Sequence, residues 1–150
     1  MSKEKISMID ISNKNHITRI ATARGKIQLK KETIKQINER TIKKGDPLVV
    51  GKIAAMQAIK RTPELIPMCH QIPITHVDFN HEIKEEEIIV EVTVKTVART
   101  GVEMEAVVGV SIFLSTIWDM VKYLEKDKDG QYPVTEIDEI KVVKKEKIKQ

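Results

Sequence analysis

Apolar residues recur along this chain with two periods, and the switches between them predict eight elements. Residues 8–12 alternate apolar with polar and suit a short strand. Ile17–Leu29 alternates for longer, with Ile17, Ala21, Ala23, Ile27 and Leu29 on one face and Arg19 in phase with them. Ile34, Ile37 and Ile42 then fall at near-helical spacing, which predicts an amphipathic helix over Lys31–Ile42 that stops at Lys44-Gly45. Asp46-Pro47 restarts a helix, with a carboxylate at the N-cap and a proline at the first helical position, running to about Lys60. Its Gly51, Ala54, Ala55 and Ala58 are small residues at i, i+3, i+4 and i+7, so this face can approach a neighbour closely. Three prolines between Thr62 and Pro73 break any longer regular structure and predict a loop.

Two alternating segments follow, Thr75–Ile83 and Ile88–Ala98, joined by a turn at Glu85-Glu86-Glu87. The first puts Val77, Phe79, His81 and Ile83 on one face; the second turns Ile88, Val90, Val92, Val94 and Ala98 inward. Thr100-Gly101-Val102-Glu103 reads as a capping box that opens a long helix to about Glu125. The middle of that helix, Ala106–Trp118, is apolar all round, which predicts burial and asks for more cover than one small sheet provides. A turn over Asp127–Gly130 and a strand over Thr135–Val143 complete the order ββααββαβ. Helices beside a mostly antiparallel sheet make an α+β fold, and this order suits a ferredoxin-like one.

The 150 residues suffice for one compact domain, with no repeat or low-complexity linker to divide it. The formal charge of +4 raises the question of nucleic acid. All of it resides in residues 141–150, where five Lys face one Glu, and the rest balances 21 Lys/Arg against 21 Asp/Glu. A basic tail, residues 144–150, on a neutral body is not a basic groove, and five aromatic residues are too few for a base-stacking platform. No apolar run reaches the ~20 residues of a membrane span, and the first residues lack the apolar core of a signal peptide. The single cysteine, Cys69, excludes an internal disulfide and fits a reducing cytoplasm. These readings imply no nucleic-acid partner, no membrane and a cytoplasmic location.

Several stretches hold residues capable of chemistry. Residues 45–52 (GDPLVVGK) imitate a phosphate-binding loop but fail it: five residues separate the glycines instead of four, and Ile53 replaces the magnesium-binding hydroxyl. Cys69, His70, His76 and His81 cluster in sequence, yet His76 and His81 have opposite strand parity, and one cysteine falls short of a structural zinc set, so no metal is expected. Cys69-His70 sits in the proline-stiffened loop, where binding residues concentrate. Glu103 has a structural role available in the capping box. Glu105, at the border of a buried apolar stretch, needs a partner or a solvent-filled cleft. Asp119 and Lys122 share a helix face three residues apart, which suits either a structural ion pair or an acid/base pair with displaced pKa values. Lys43, Lys44, Lys60 and Arg61 flank the second helix, each readable as a solvated cation.

Taken together, Thr100–Ala106 (TGVEMEA), Lys44-Gly45-Asp46, Ala54–Thr62 (AAMQAIKRT), Ile66–His70 (IPMCH), Trp118–Lys122 (WDMVK) and Met8–Ser12 (MIDIS) resemble the signatures of cyclic pyranopterin monophosphate synthase, the MoaC family of molybdenum cofactor biosynthesis, in the family's order from about residue 7 to 128. The resemblance implies a lyase that converts 3′,8-cyclo-7,8-dihydroguanosine 5′-triphosphate to cyclic pyranopterin monophosphate and releases pyrophosphate. It implies a homohexamer, a trimer of dimers with sites between subunits, that needs no metal or redox cofactor. It assigns catalytic roles to Asp119, Lys122 and Lys44, and substrate binding to Met68, Cys69, His70, Met104, Glu105, Glu103, Arg19 and Asp10. Proton transfers in ring opening and closure need an acid and a base, which suits Asp119 and Lys122. A departing pyrophosphate needs cations and donors, which suits Lys44, Lys122, Arg19 and His70. The chain differs from many members at Gln71, Trp118 and Val121, and it ends in KVVKKEKIKQ where they carry a Gly-rich Lys-Ser segment. The alternative function from the residues alone is a non-catalytic ferredoxin-like oligomer that binds a nucleotide.

Overall fold

The computed structural model describes residues 4–149; Met1–Lys3 and Gln150, which belong to the expected leaderless N-terminus and basic tail, lie outside them. Four strands and four helices follow one another as β1 (Ile17–Gln28), α1 (Lys31–Glu39), α2 (Pro47–Lys60), α3 (Thr62–Leu65), β2 (His76–Ile83), β3 (Glu87–Ala98), α4 (Glu103–Glu125) and β4 (Glu136–Ile148). The strands form one sheet in the order β2-β3-β1-β4, every neighbouring pair antiparallel. With α1–α3 taken as a single crossover, the connectivity is β-α-β-β-α-β, two interleaved βαβ units. The α+β class and the antiparallel sheet packed on helices are as the alternation foretold.

One face of the sheet carries the core. Ala21, Ala23 and Ile27 of β1 and Ile88, Val90, Val92 and Val94 of β3 meet Val110, Phe113, Leu114, Ile117 and Val121 of α4, all fully or nearly fully buried. Each large side chain withdrawn from water there stabilises the fold by at most about 1.5–3 kcal/mol. The small stripe of α2 does what its spacing implied: a Cβ at Gly51 would lie 2.7 Å from the Phe113 ring. Thus α4 lies between the sheet and α2, and one chain supplies the cover its apolar circumference needs. It is also long and apolar enough to cross a bilayer, yet more than half of its apolar window is buried inside this fold.

Several expectations are corrected. Residues 8–12 form no strand: the segment joins no ladder, and Asp10 closes a local turn by accepting from the Ser12 N–H at 2.9 Å. The helix expected to Ile42 ends at Glu39, because Arg40 adopts a left-handed conformation (φ 60°) and returns its N–H to the Gln36 and Ile37 carbonyls. The proline-rich loop contains the single turn α3. The capping box does not form: α4 starts at Glu103, Val102 occupies the N-cap and no side chain caps it. The Glu103 carboxylate turns instead over Gly101, where a Cβ would collide with it. Finally, residues 144–148 are not a solvated tail. They extend β4 along β1, with Lys145 opposite Ala21 and Lys147 opposite Arg19. Charge concealed a strand whose backbone an edge of β1 was ready to pair.

Helix caps fix the ends of the frame. Asp46 accepts from the Leu48 and Val49 N–H groups, as its position before Pro47 required. The first turn of α1 is closed from afar: Glu125, fully buried at the end of α4, accepts from the Lys30 N–H and from the hydroxyls of Thr33 and Thr135.

Candidate active site

At the head of α4 a cavity of about 390 Å³ opens between the 66–70 loop, the 100–105 turn and the N-terminal segment. The prolines and α3 bend the loop so that Met68, Cys69 and His70 reach it, and Thr100–Glu105 supply the opposite wall. Ser7, Ile9, Ile11 and Lys14 close one side. His70 holds that segment by donating from Nε2 to the Ile9 carbonyl at 2.7 Å. Asp10 lies in the same segment, its carboxyl held below the ordinary carboxylate value chiefly by the Ser12 N–H, with a smaller pull from His70. Met68 and Met104, about half exposed, form an apolar rim.

Two carboxylates dominate the cavity electrically. Glu105 is 3% exposed and accepts no hydrogen bond or ion pair from another side chain among the described residues. Burial pushes its pKa from 4.5 up to about 7, and the charge of Glu103 adds to the rise. Glu103 goes the other way. Burial would raise it, but the hydrogen bond from Lys145, its own N–H, and the charges of Lys145 and Arg19 outweigh that and leave it lowered. Arg19 is buried and donates from Nε to the Ala98 carbonyl at 3.1 Å and from Nη2 to the Arg99 carbonyl at 3.3 Å. It thereby anchors the end of β3 from which the 100–105 turn departs. Burial pushes the Cys69 thiol up, aided by Glu105, so the sulfur is a poor nucleophile and acts as a wall.

The other three candidates gather elsewhere. Lys44 Nζ meets Asp119 Oδ2 at 3.3 Å and the Asp119 carbonyl at 3.0 Å, and Lys122 Nζ meets Asp119 Oδ1 at 3.0 Å. All three side chains are about half exposed. The hydrogen bond from Lys122, then that from Lys44, holds the Asp119 carboxyl below its ordinary value, and Asp119 raises Lys122 in return. Contact separates the two pKa values, but burial, the other expected cause, plays almost no part, so in one chain the arrangement is a solvent-exposed ion pair. The turn bearing Lys44 is fastened to α4 by the Lys43 N–H donating to the Tyr123 hydroxyl at 2.9 Å.

Sequence reasoning thus identified two clusters, and the fold keeps them apart. Glu105 and Asp119 are 14 residues distant on one helix, about 21 Å along its axis. No side chain among the described residues bridges that gap. Residues the sequence did not single out include Lys145, hidden in an apparent tail, and Tyr123, a lone aromatic without a motif. Among the described residues no three His, Cys, Asp or Glu groups converge.

The sequence model of the MoaC family matches residues 8–147. The probable cyclic pyranopterin monophosphate synthase of Methanococcoides burtonii is 54% identical over 144 residues, 96% of this chain and 91% of the relative. That of Archaeoglobus fulgidus is 52% identical over 95% of this chain and 92% of its own. A protein of Methanothermobacter thermautotrophicus named as a probable accessory protein of this synthase is 51% identical over 95% and 90%.

Proposed function

The chain belongs to the MoaC family, and on that premise we propose that it is a cyclic pyranopterin monophosphate synthase, a lyase of molybdenum cofactor biosynthesis. It takes 3′,8-cyclo-7,8-dihydroguanosine 5′-triphosphate, rebuilds the purine as a pterin, closes the α-phosphate into a cyclic diester and expels pyrophosphate. The observation that carries the reading is the cavity at the head of α4, where Glu105 offers acceptor oxygens to which no side chain of the described residues donates. An ionised carboxylate only accepts, and a guanine-derived ring presents N–H donors. A ligand bearing such donors draws Glu105 to its charged form, while Glu103, Met68, Met104, Cys69 and His70 complete the walls.

The Lys44–Asp119–Lys122 cluster is assigned the proton transfers and the phosphates. Lys122 and Lys44 neutralise the charge that grows on departing pyrophosphate, and Asp119 orients both ammonium groups. Asp119 as a base requires surroundings less wet than its present ones. A second copy of the chain meets that requirement: the separation of about 21 Å within one chain is bridged when the cluster of one protomer enters the cavity of another. The exposed stripe of Val49, Val50 and Ile53 on α2 gives such an assembly an apolar face. Membership of the family implies a homohexamer, to which this face is suited, and we assign the protein to the cytoplasm, where the free Cys69 thiol is stable. Nothing favours the non-catalytic nucleotide binder.

Incubation with the cyclised triphosphate tests the reading: pyrophosphate and pterin appear in stoichiometric amounts, and their absence refutes it. Mixing Asp119→Asn with His70→Ala protein tests the shared site. Each alone is inactive, and exchange of subunits restores about a quarter of the sites; no recovery refutes the sharing.

A further inference from the structure

The end of β4 sends a side chain to a carboxylate of the cavity wall, and no catalytic assignment above uses it. Lys145 pairs in register with Ala21, a core-facing residue, so its side chain leaves the strand on the side of α4. Its neighbours Lys144 and Glu146 pair with each other at 2.8 Å on the opposite face. Lys145 Nζ crosses the sheet edge to Glu103 Oε1, also at 2.8 Å. That carboxylate belongs to the first residue of α4 and lines the cavity. Glycine at 101 leaves the space into which it folds.

We propose that Lys145 is a positioning residue of the active site: it holds the Glu103 carboxylate against the 100–101 turn, so that the C-terminal strand orients the wall that receives the purine-derived part of the substrate. The assignment rests on the functional reading given above. A long, partly buried glutamate at a helix start without this tether can sample other rotamers, and a displaced anion at the cavity wall misplaces a bound ring.

The arrangement also sets the field at Glu105. Ionisable groups face Glu105 from each surrounding element: Glu103 on its own helix, Cys69 and His70 from the loop, Lys14 from the N-terminal segment, Lys60 and Glu64 from the α2–α3 corner. Arg19 of β1 acts on Glu103. Of these, the anion of Glu103 raises Glu105, and Lys145 tempers that anion. Removing the ammonium therefore favours the protonated form of Glu105.

The test compares Lys145→Met, which keeps the aliphatic stem, with Lys145→Arg, which keeps the charge. Lys145→Met lowers kcat/KM on the cyclised triphosphate on the order of tenfold, mainly through KM, and moves the acidic limb of its pH profile upward; Lys145→Arg restores most of both. Carboxyl NMR of the unliganded protein reads the Glu105 titration directly, so it decides the matter even if wild-type protein releases no pyrophosphate, an outcome that refutes only the functional reading. Its midpoint rises in Lys145→Met and not in Lys145→Arg. In a Glu103→Gln background Lys145→Met causes no further rise. Wild-type kinetics with an unmoved midpoint in Lys145→Met, or an equal shift in both backgrounds, overturns the proposal.

Discussion

Helix α4 buries a glutamate near each end, and the two ends treat it in opposite ways. At the tail, Glu125 accepts from the Lys30 N–H and from the hydroxyls of Thr33 and Thr135, closing the first turn of α1. At the head, Glu105 is nearly as inaccessible, yet no other side chain among the described residues donates to it. Folding compensates the first carboxylate fully and leaves the second with only its own backbone N–H. A buried carboxylate with no side-chain donor costs stability, and beside a cavity it is a group suited to a ligand. The lesson is that burial alone does not mark function; burial beside a cavity without a side-chain partner does.

The widest test of this contrast removes the compensated group. Glu125→Ala strands one buried N–H and two hydroxyls, and we expect a loss of about 3–5 kcal/mol in urea unfolding, with the turnover of folded protein little changed. A loss below about 1 kcal/mol would break the comparison at its structural end. Glu105→Gln comes next and has the opposite sign. Since its folded pKa lies above the ordinary 4.5, the folded chain holds a proton that the unfolded chain has already released, so stability falls as pH rises from about 4.5 through about 7. The full penalty is of order 3 kcal/mol. Glu105→Gln removes it: above neutral pH the variant unfolds at higher denaturant than its parent by about 2–3 kcal/mol, the pH slope flattens, and synthase activity collapses. A variant no more stable than its parent there would mean that Glu105 is compensated after all.

This difference was half legible in the sequence. Glu105 stood out because a carboxylate at the border of a buried apolar run needs a partner or a solvent-filled cleft. Glu125 did not, since its partners lie 92 and 95 residues back in Thr33 and Lys30, and 10 residues ahead in Thr135; only the crossing of α1 over the end of α4 unites them. The strands and the α2 cap were readable for a local reason: alternation, Asp46 and Pro47 act within a few residues. The false strand at 8–12 and the false tail at 144–148 failed for a shared reason. Strand formation needs a partner edge, which the first segment lacks and the second finds in β1. The candidate site divides likewise: motifs identified both clusters, but the distance between them, and Lys145 as the neighbour of Glu103, are properties of the packed chain.

The smallest effect sharpens the comparison most. Thr135→Val keeps the volume of a nearly buried side chain and deletes one hydrogen bond to Glu125, while the Lys30 N–H and the Thr33 hydroxyl remain. A single bond to a carboxylate that keeps its other partners is worth about 1–2 kcal/mol, visible as a lower urea midpoint with unchanged slope. The cavity at Glu105 lies 20 residues away, about 30 Å along the helix. If the two ends are independent, kcat/KM and the Glu105 titration stay at parental values in this variant while stability falls. If the titration moves with it, α4 transmits packing at its tail to the carboxylate at its head, and the two glutamates belong to one coupled system rather than to separate structural and functional ends.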